Sequence, residues 1–186
     1  MTQSLYDRLF RPALLLCALF GLLSLAPSAA ASPFGQGVFG ADVPFGSVTS
    51  LTIALGGDVA LDLVPSGATF VGADSHTLTV TSTDVVGYNL YIYSAGGTSL
   101  VNGAENIPAS GNAVPAALST NTWGYNVDGS TDYLGITSTP KLLKTALGPY
   151  KSGDDTTVTY GVLTDITKGS GSYTASVTYT AVALNY

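Results

Sequence analysis

Between residues 48 and 55 the side chains alternate: Leu51, Ile53 and Leu55 fall on one side, Thr52 and Ala54 on the other. This two-residue period marks a strand with one buried and one wet face, and it recurs along the chain. After a Gly56-Gly57-Asp58 turn, Val59, Leu61 and Leu63 repeat it against Ala60 and Asp62, and Pro65 closes the segment. In residues 76–83 (HTLTVTST) Leu78 and Val80 point inward. Residues 88–93 (YNLYIY), 122–127 (TWGYNV) and 156–164 read as further strands. In residues 172–184, Tyr173, Ala175, Val177, Tyr179, Ala181 and Ala183 share one face. Residues 95–113, which contain the single glutamate Glu105, read as loop, and 128–140 as turns. No apolar set repeats at the helical period, and only Lys141-Leu142-Leu143-Lys144 is expected to form a helical turn. About seven short strands separated by Gly and Pro predict an all-β domain, a β-sandwich rather than alternating β-α units.

The first residues follow a different pattern. Arg8 and Arg11 precede an uncharged run from Ala13 to Leu25, and Ala29-Ala30-Ala31 follows it. A positive lead, an apolar stretch and an A-x-A site together make a secretory signal peptide. Thirteen residues of helix rise about 20 Å, short of the roughly 30 Å of a bilayer core. Cleavage after Ala31 is expected, and the mature chain then has no membrane span. Cys17, the only cysteine, lies inside the apolar run and leaves with it. The 155 residues that remain (186 less 31) must be held by their core without disulfides, which a single domain of this length can do. Residues 32–47, with Phe34, Phe39 and Phe45 between Gly and Pro, read as an extended N-terminal arm ahead of a domain at 48–186.

Charge narrows the partners. Removing Arg8 and Arg11 leaves Lys141, Lys144, Lys151 and Lys168 against eleven acids, a net charge of −7. Such a field repels phosphate backbones and anionic lipid surfaces, so nucleic acid is excluded as a partner. Surface polarity comes from Thr, Ser, Asn and Gly instead, and β-branched Thr suits a half-exposed pleated surface.

Five short segments carry a resemblance: residues 59–65 (V-x-L-x-L-x-P), 87–92 (G-Y-x-L-x-I), Trp123-Gly124-Tyr125, 157–162 (TVTYGV) and 173–181 (Y-T-x-x-V-x-Y-T-A). In this order they resemble a group of secreted bacterial surface proteins with an Ig-like β-sandwich module, over roughly residues 48–183. The resemblance implies an Ig-like sandwich of envelope-exposed, structural or adhesive character, and it supplies no catalytic residues.

Chemistry at a site is sparse. His76, the one histidine, stands beside Asp74 and Ser75, but neighbours in sequence do not make a triad, and a surface histidine at a strand end is expected. With one histidine and no mature cysteine, zinc and copper lack ligands, and no cofactor is expected. Residues 126–132 (NVDGSTD) place oxygens at alternate positions, yet Thr131 and Thr137 stand where an EF-hand loop needs Gly and Glu. A looser calcium site at Asp128 and Asp132 is the remaining metal candidate. All four lysines lie between 141 and 168, far from the early strands and from Glu105, which disfavours an isopeptide cross-link. Tyr91, Tyr93 and Tyr125 are candidates for an exposed ligand-binding face.

Two functions fit this reading, neither enzymatic. The first is an extracellular or cell-surface structural subunit of a filament, pilus or matrix that self-associates by strand addition. Phe34, Phe39 and Phe45 of the arm and Tyr173, Val177 and Tyr179 of the uncharged last strand would be the assembly residues. The second is a soluble adhesin that holds a glycan or a host or envelope surface through its tyrosines.

Overall fold

The computed structural model describes residues 50–184; the expected signal peptide (1–31) and the expected arm (32–47) lie outside them. Within them the chain is all-β, with no helix. Its strands are β1 (Ser50–Leu55), β2 (Val64–Ser66), β3 (Thr69–Thr83), β4 (Gly87–Tyr93), β5 (Leu100–Asn102), β6 (Glu105–Ile107), β7 (Thr122–Asn126), β8 (Lys141–Leu147), β9 (Asp154–Asp165) and β10 (Thr178–Leu184). Seven of these are five residues or longer. One sheet runs β1-β3-β9-β7, with β2 also paired to β3, and a second runs β10-β4-β8. β5 and β6 form a separate hairpin, and all these pairings are antiparallel.

The alternation places the core. Leu78 and Val80 from β3 and Val158, Tyr160 and Val162 from β9 meet Tyr88, Leu90 and Ile92 from β4 in one buried cluster. Burying each such side chain contributes about 1.5–3 kcal/mol, and this core holds a fold that has no disulfide. Trp123, at 2% exposure, belongs to the same cluster, and its Nε1 donates to the Thr98 carbonyl at 2.9 Å.

Several sequence expectations are corrected. Residues 56–63 form no strand, although Val59 and Leu61 pack against the core. The reason is a length mismatch. β1 ends with Leu55 opposite Leu78, and β2 begins with Val64 opposite Val71. Eight residues (56–63) therefore run beside six (72–77), and the surplus of two breaks the ladder. Residues 141–144 are not a helical turn but the start of β8. One helical turn is a costly nucleus, whereas the edge of β4 offers backbone partners along Gly87–Ile92. A register shift at Leu90/Tyr91 skips Leu143, so Lys144 lies opposite inward Leu90 and Leu142 opposite outward Tyr91. The loop at 95–113 contains the β5–β6 hairpin, turning at Gly103-Ala104. The final strand begins at Thr178; ahead of it Thr174 bridges Val101, Ser94 donates to the Ser176 carbonyl at 2.7 Å, and Tyr173, Ala175 and Val177 pack against the core.

Candidate functional site

The feature that sets one surface apart is the flank formed by β1 and β10. The two strands lie beside each other, each at the edge of its own sheet. Among the described residues neither has a second strand partner. β1 (SLTIAL) and β10 (TYTAVAL) contain no charge, no proline and no register shift. Natural edges are usually blunted by such devices. The opposite edges of the two sheets have them or are covered: β8 carries Lys141, Lys144 and a register shift. Across β7, Ser110 donates to the Trp123 carbonyl at 2.7 Å, and Tyr125 exchanges bonds with Leu134 at 2.9 and 2.7 Å. The flank's interior is also incompletely closed. Leu51 and Ile53 lie opposite fully buried Ser82 and Val80, and Tyr179 and Ala181 opposite fully buried Ile92 and Leu90, yet all four are only half-buried.

A chain of side-chain hydrogen bonds ties β10 to the other sheet. His76 Nδ1 lies 2.8 Å from the Gly57 carbonyl, which can only accept, so Nδ1 carries the proton. In the neutral ring Nε2 then accepts from the Tyr179 hydroxyl at 2.8 Å. The Tyr179 oxygen also lies 2.5 Å from Tyr160 Oη, so the two hydroxyls share a hydrogen bond. His76 therefore stands within β3 rather than at a strand end, and its ring also meets that of Tyr160 edge-on at 5.9 Å. Asp74, its sequence neighbour, is bonded to the Ser75 amide instead. Burial raises the hydroxyl pKa of Tyr160 to about 12, and burial beside Tyr160 raises that of Tyr179 further. Sequence reasoning missed this arrangement because His76 and Tyr179 lie 103 residues apart. Their shared inward parity was the available signal.

The other sequence-derived candidates do not gather at one place. Tyr91 and Tyr93 share the outer face of the β10-β4-β8 sheet, opposite Thr180 and Thr178. Tyr125 does not join them. It is 1% exposed, within the core, and its hydroxyl finds no hydrogen-bond partner among the described residues. Tyr173 and Val177 pack partly against the core, while Tyr179 turns its hydroxyl inward. Asp128 and Asp132 are exposed in a turn where Asp128 accepts from the Ser130 amide at 3.0 Å, a bond that holds its carboxyl below the ordinary range. No group of three His, Cys, Asp or Glu able to hold a metal occurs among the described residues. Phe34, Phe39 and Phe45 lie outside those residues. A shallow depression lined by Ser110, Asn112, Thr137 and Thr139 has Lys141 as its charged group.

An ion pair joins the two sheets: Lys144 Nζ to Asp154 Oδ1 at 2.8 Å, with Tyr88 donating to Asp154 Oδ2 at 2.6 Å. Burial alone would raise the Asp154 pKa, but the Lys144 and Tyr88 bonds outweigh it and hold the carboxyl below its ordinary range. An ionised carboxylate is a poor electrophile, so this pair is an electrostatic clasp rather than a precursor of a covalent link. Its contribution is complete above the unfolded carboxylate pKa of about 3.9 and fades as pH falls through the lower folded value. Asp154→Asn is expected to cost about 1–2 kcal/mol at pH 7, because the pair is only partly buried. It should also flatten the loss of stability below about pH 4, as read from urea unfolding at pH 3 to 7. Equal acid limbs in the two proteins would contradict the assignment.

Comparison with known proteins gives little to set beside this geometry. No family model matches the sequence, and no curated protein matches it. Among solved structures it is similar to a chain described as "Chaperone-tip adhesin complex is vital for synergistic activation of CFA/I fimbriae biogenesis", at 11% identity and a TM-score of 0.48. The match covers 72% of this chain and 41% of that one, so the chain spans less than half of its length. No helix among the described residues is long and apolar enough to cross a membrane.

Proposed function

We propose that the chain is an exported, non-enzymatic structural subunit, an Ig-like β-sandwich that assembles with its own kind at the cell surface. The observation that carries this reading is the β1/β10 flank: thirteen edge residues without a charge, while the opposite edges of the two sheets, β7 and β8, are protected. A flat uncharged edge left in solvent is an aggregation hazard, and controlled assembly covers it. The signal peptide puts the chain outside the cytoplasm, and the net charge of −7 after cleavage keeps it from nucleic acid. Electron microscopy of secreted material tests the reading. Regular filaments or a surface layer are expected; dispersed single particles at high concentration would count against it.

A second reading rests on Tyr91 and Tyr93. With Leu142 and Thr180 they form an uncharged outer face on which a sugar ring could stack. A glycan array probed with the wild type and a Tyr91→Ala/Tyr93→Ala variant separates the readings. Binding lost in the variant, with assembly unchanged, favours the adhesin.

A further inference from the structure

We infer that the free edge of β10 is the seat for residues 39–45 of a second copy of this chain, added antiparallel. The inference rests on the assembly reading above and specifies its contact. Three observations carry it.

The first is the phase of the segment. Phe39, Ala41, Val43 and Phe45 are apolar at every second position, alternating with Gly40, Asp42 and Pro44. An added strand with the odd residues inward would lay these side chains over Tyr179 and Ala181, the half-closed positions of the flank. Backbone N–H and C=O groups alternate sides with the same period. When the odd residues bond to β10, Pro44 faces away from it, and its missing N–H removes no ladder bond.

The second is length. Residues 39–45 are seven, as is β10 (Thr178–Leu184), so the segment covers the whole edge.

The third is direction, and it selects a second copy over the chain's own arm. β1 starts at Ser50, opposite Thr83, and β10 stops at Leu184, opposite Gly87, so both ends lie beside the same turn. A segment antiparallel to β10 starts at that end and leaves Phe45 at the other, alongside Thr178. Returning to Ser50 would span six strand steps, about 20 Å. The five steps from Phe45 to Ser50 reach at most about 18 Å when fully extended. In that seven-residue register the chain's own arm falls short, whereas a second copy's segment is not bound by the distance to Ser50.

The test uses the mature chain, which has no cysteine after cleavage at Ala31. One preparation carries Asp42→Cys. A second, distinguished by a mass tag, carries Thr178→Cys, Thr180→Cys or Val182→Cys on the outer side of β10. On mixing and mild oxidation, a disulfide-linked heterodimer is expected for at least one of the three positions. None is expected with the control Leu142→Cys on β8. If assemblies form but no β10 position cross-links, the seat is wrong and the assembly reading stands. If neither assembly nor cross-link occurs, both fall. A third preparation carries Asp42→Cys and the β10 cysteine in one chain; cross-linking only there, within single chains, overturns the second-copy assignment.

Discussion

Gly124→Ala is expected to destabilise the domain by about 2–4 kcal/mol, more than any other single methyl addition on the β7–β9 ladder. Gly124 and Gly161 face each other on the outer side of that ladder. Together they form a trough that Tyr133 and Leu134 fill. A Cβ on Gly124 would stand 2.5 Å from the Leu134 carbonyl, whose residue exchanges two backbone bonds with Tyr125. Backbone held in that way cannot step aside. A Cβ on Gly161 would instead strike the far end of the Tyr133 ring, which can swing into solvent. Gly161→Ala should therefore cost only about 1 kcal/mol. Adding Tyr133→Ala should remove most of the penalty at Gly161 and little of that at Gly124, as coupled neighbours behave in a double-mutant cycle. Equilibrium urea unfolding of the six proteins (wild type, the three single variants and the two double variants) decides it, and equal costs at the two glycines would refute the backbone-clash account.

Alkaline unfolding should be steep and should begin near pH 10. Tyr125 and Tyr160 ionise near pH 12 in the folded chain because burial disfavours the phenolate. Tyr179, buried and bonded to Tyr160, is raised further, as is Tyr88, which is buried and donates to the Asp154 carboxylate. A folded pKa above the unfolded value of about 10 gives stability that is complete below pH 10 and lost as pH rises toward the folded value. Four such groups in one core should act together, removing several kcal/mol between pH 10 and 12. Absorbance of tyrosinate near 295 nm and far-UV circular dichroism should then change in one cooperative step. Four tyrosines titrating near pH 10 with the sheet signal intact would contradict their burial.

The parts of the fold legible in the sequence were those set by a two-residue period. Leu78 and Val80, the inward row of residues 88–93, and the alternation in residues 156–164 all fall on the core. The glycines of the resemblance segments prove to be positions of close approach: a Cβ on Gly87 would meet the Ala146 carbonyl, and Gly124 and Gly161 hold the Tyr133–Leu134 trough. What failed depended on partners. Residues 59–63 alternate as well as any strand, but two surplus residues deny them a ladder, and no local pattern counts residues on the opposite strand. Residues 141–144 are too short for either period to declare itself, and the β4 edge decides them. Tyr125 looked like a candidate for an exposed face because a ring is equally at home in a core, and only its position opposite Tyr160 settles the matter.

The uncharged run from Gly169 onward was legible and was read as an edge for strand addition, but the place of that edge in the fold was not. It took the sheet order to place β10 at an edge, β1 beside it, and the lysines on the opposite edge of the same sheet. The Tyr179–His76 bond adds that β10 is anchored to the β1-β3-β9-β7 sheet through β3. An incoming strand would thus meet a fixed template.

Light scattering on the mature protein, with and without residues 32–47, tests the central claim most directly. The intact chain should form species larger than a monomer that grow with concentration, and the shortened chain should remain monomeric and folded. An intact chain that stays monomeric at high concentration, or oligomers unchanged by the deletion, would contradict assembly through the arm.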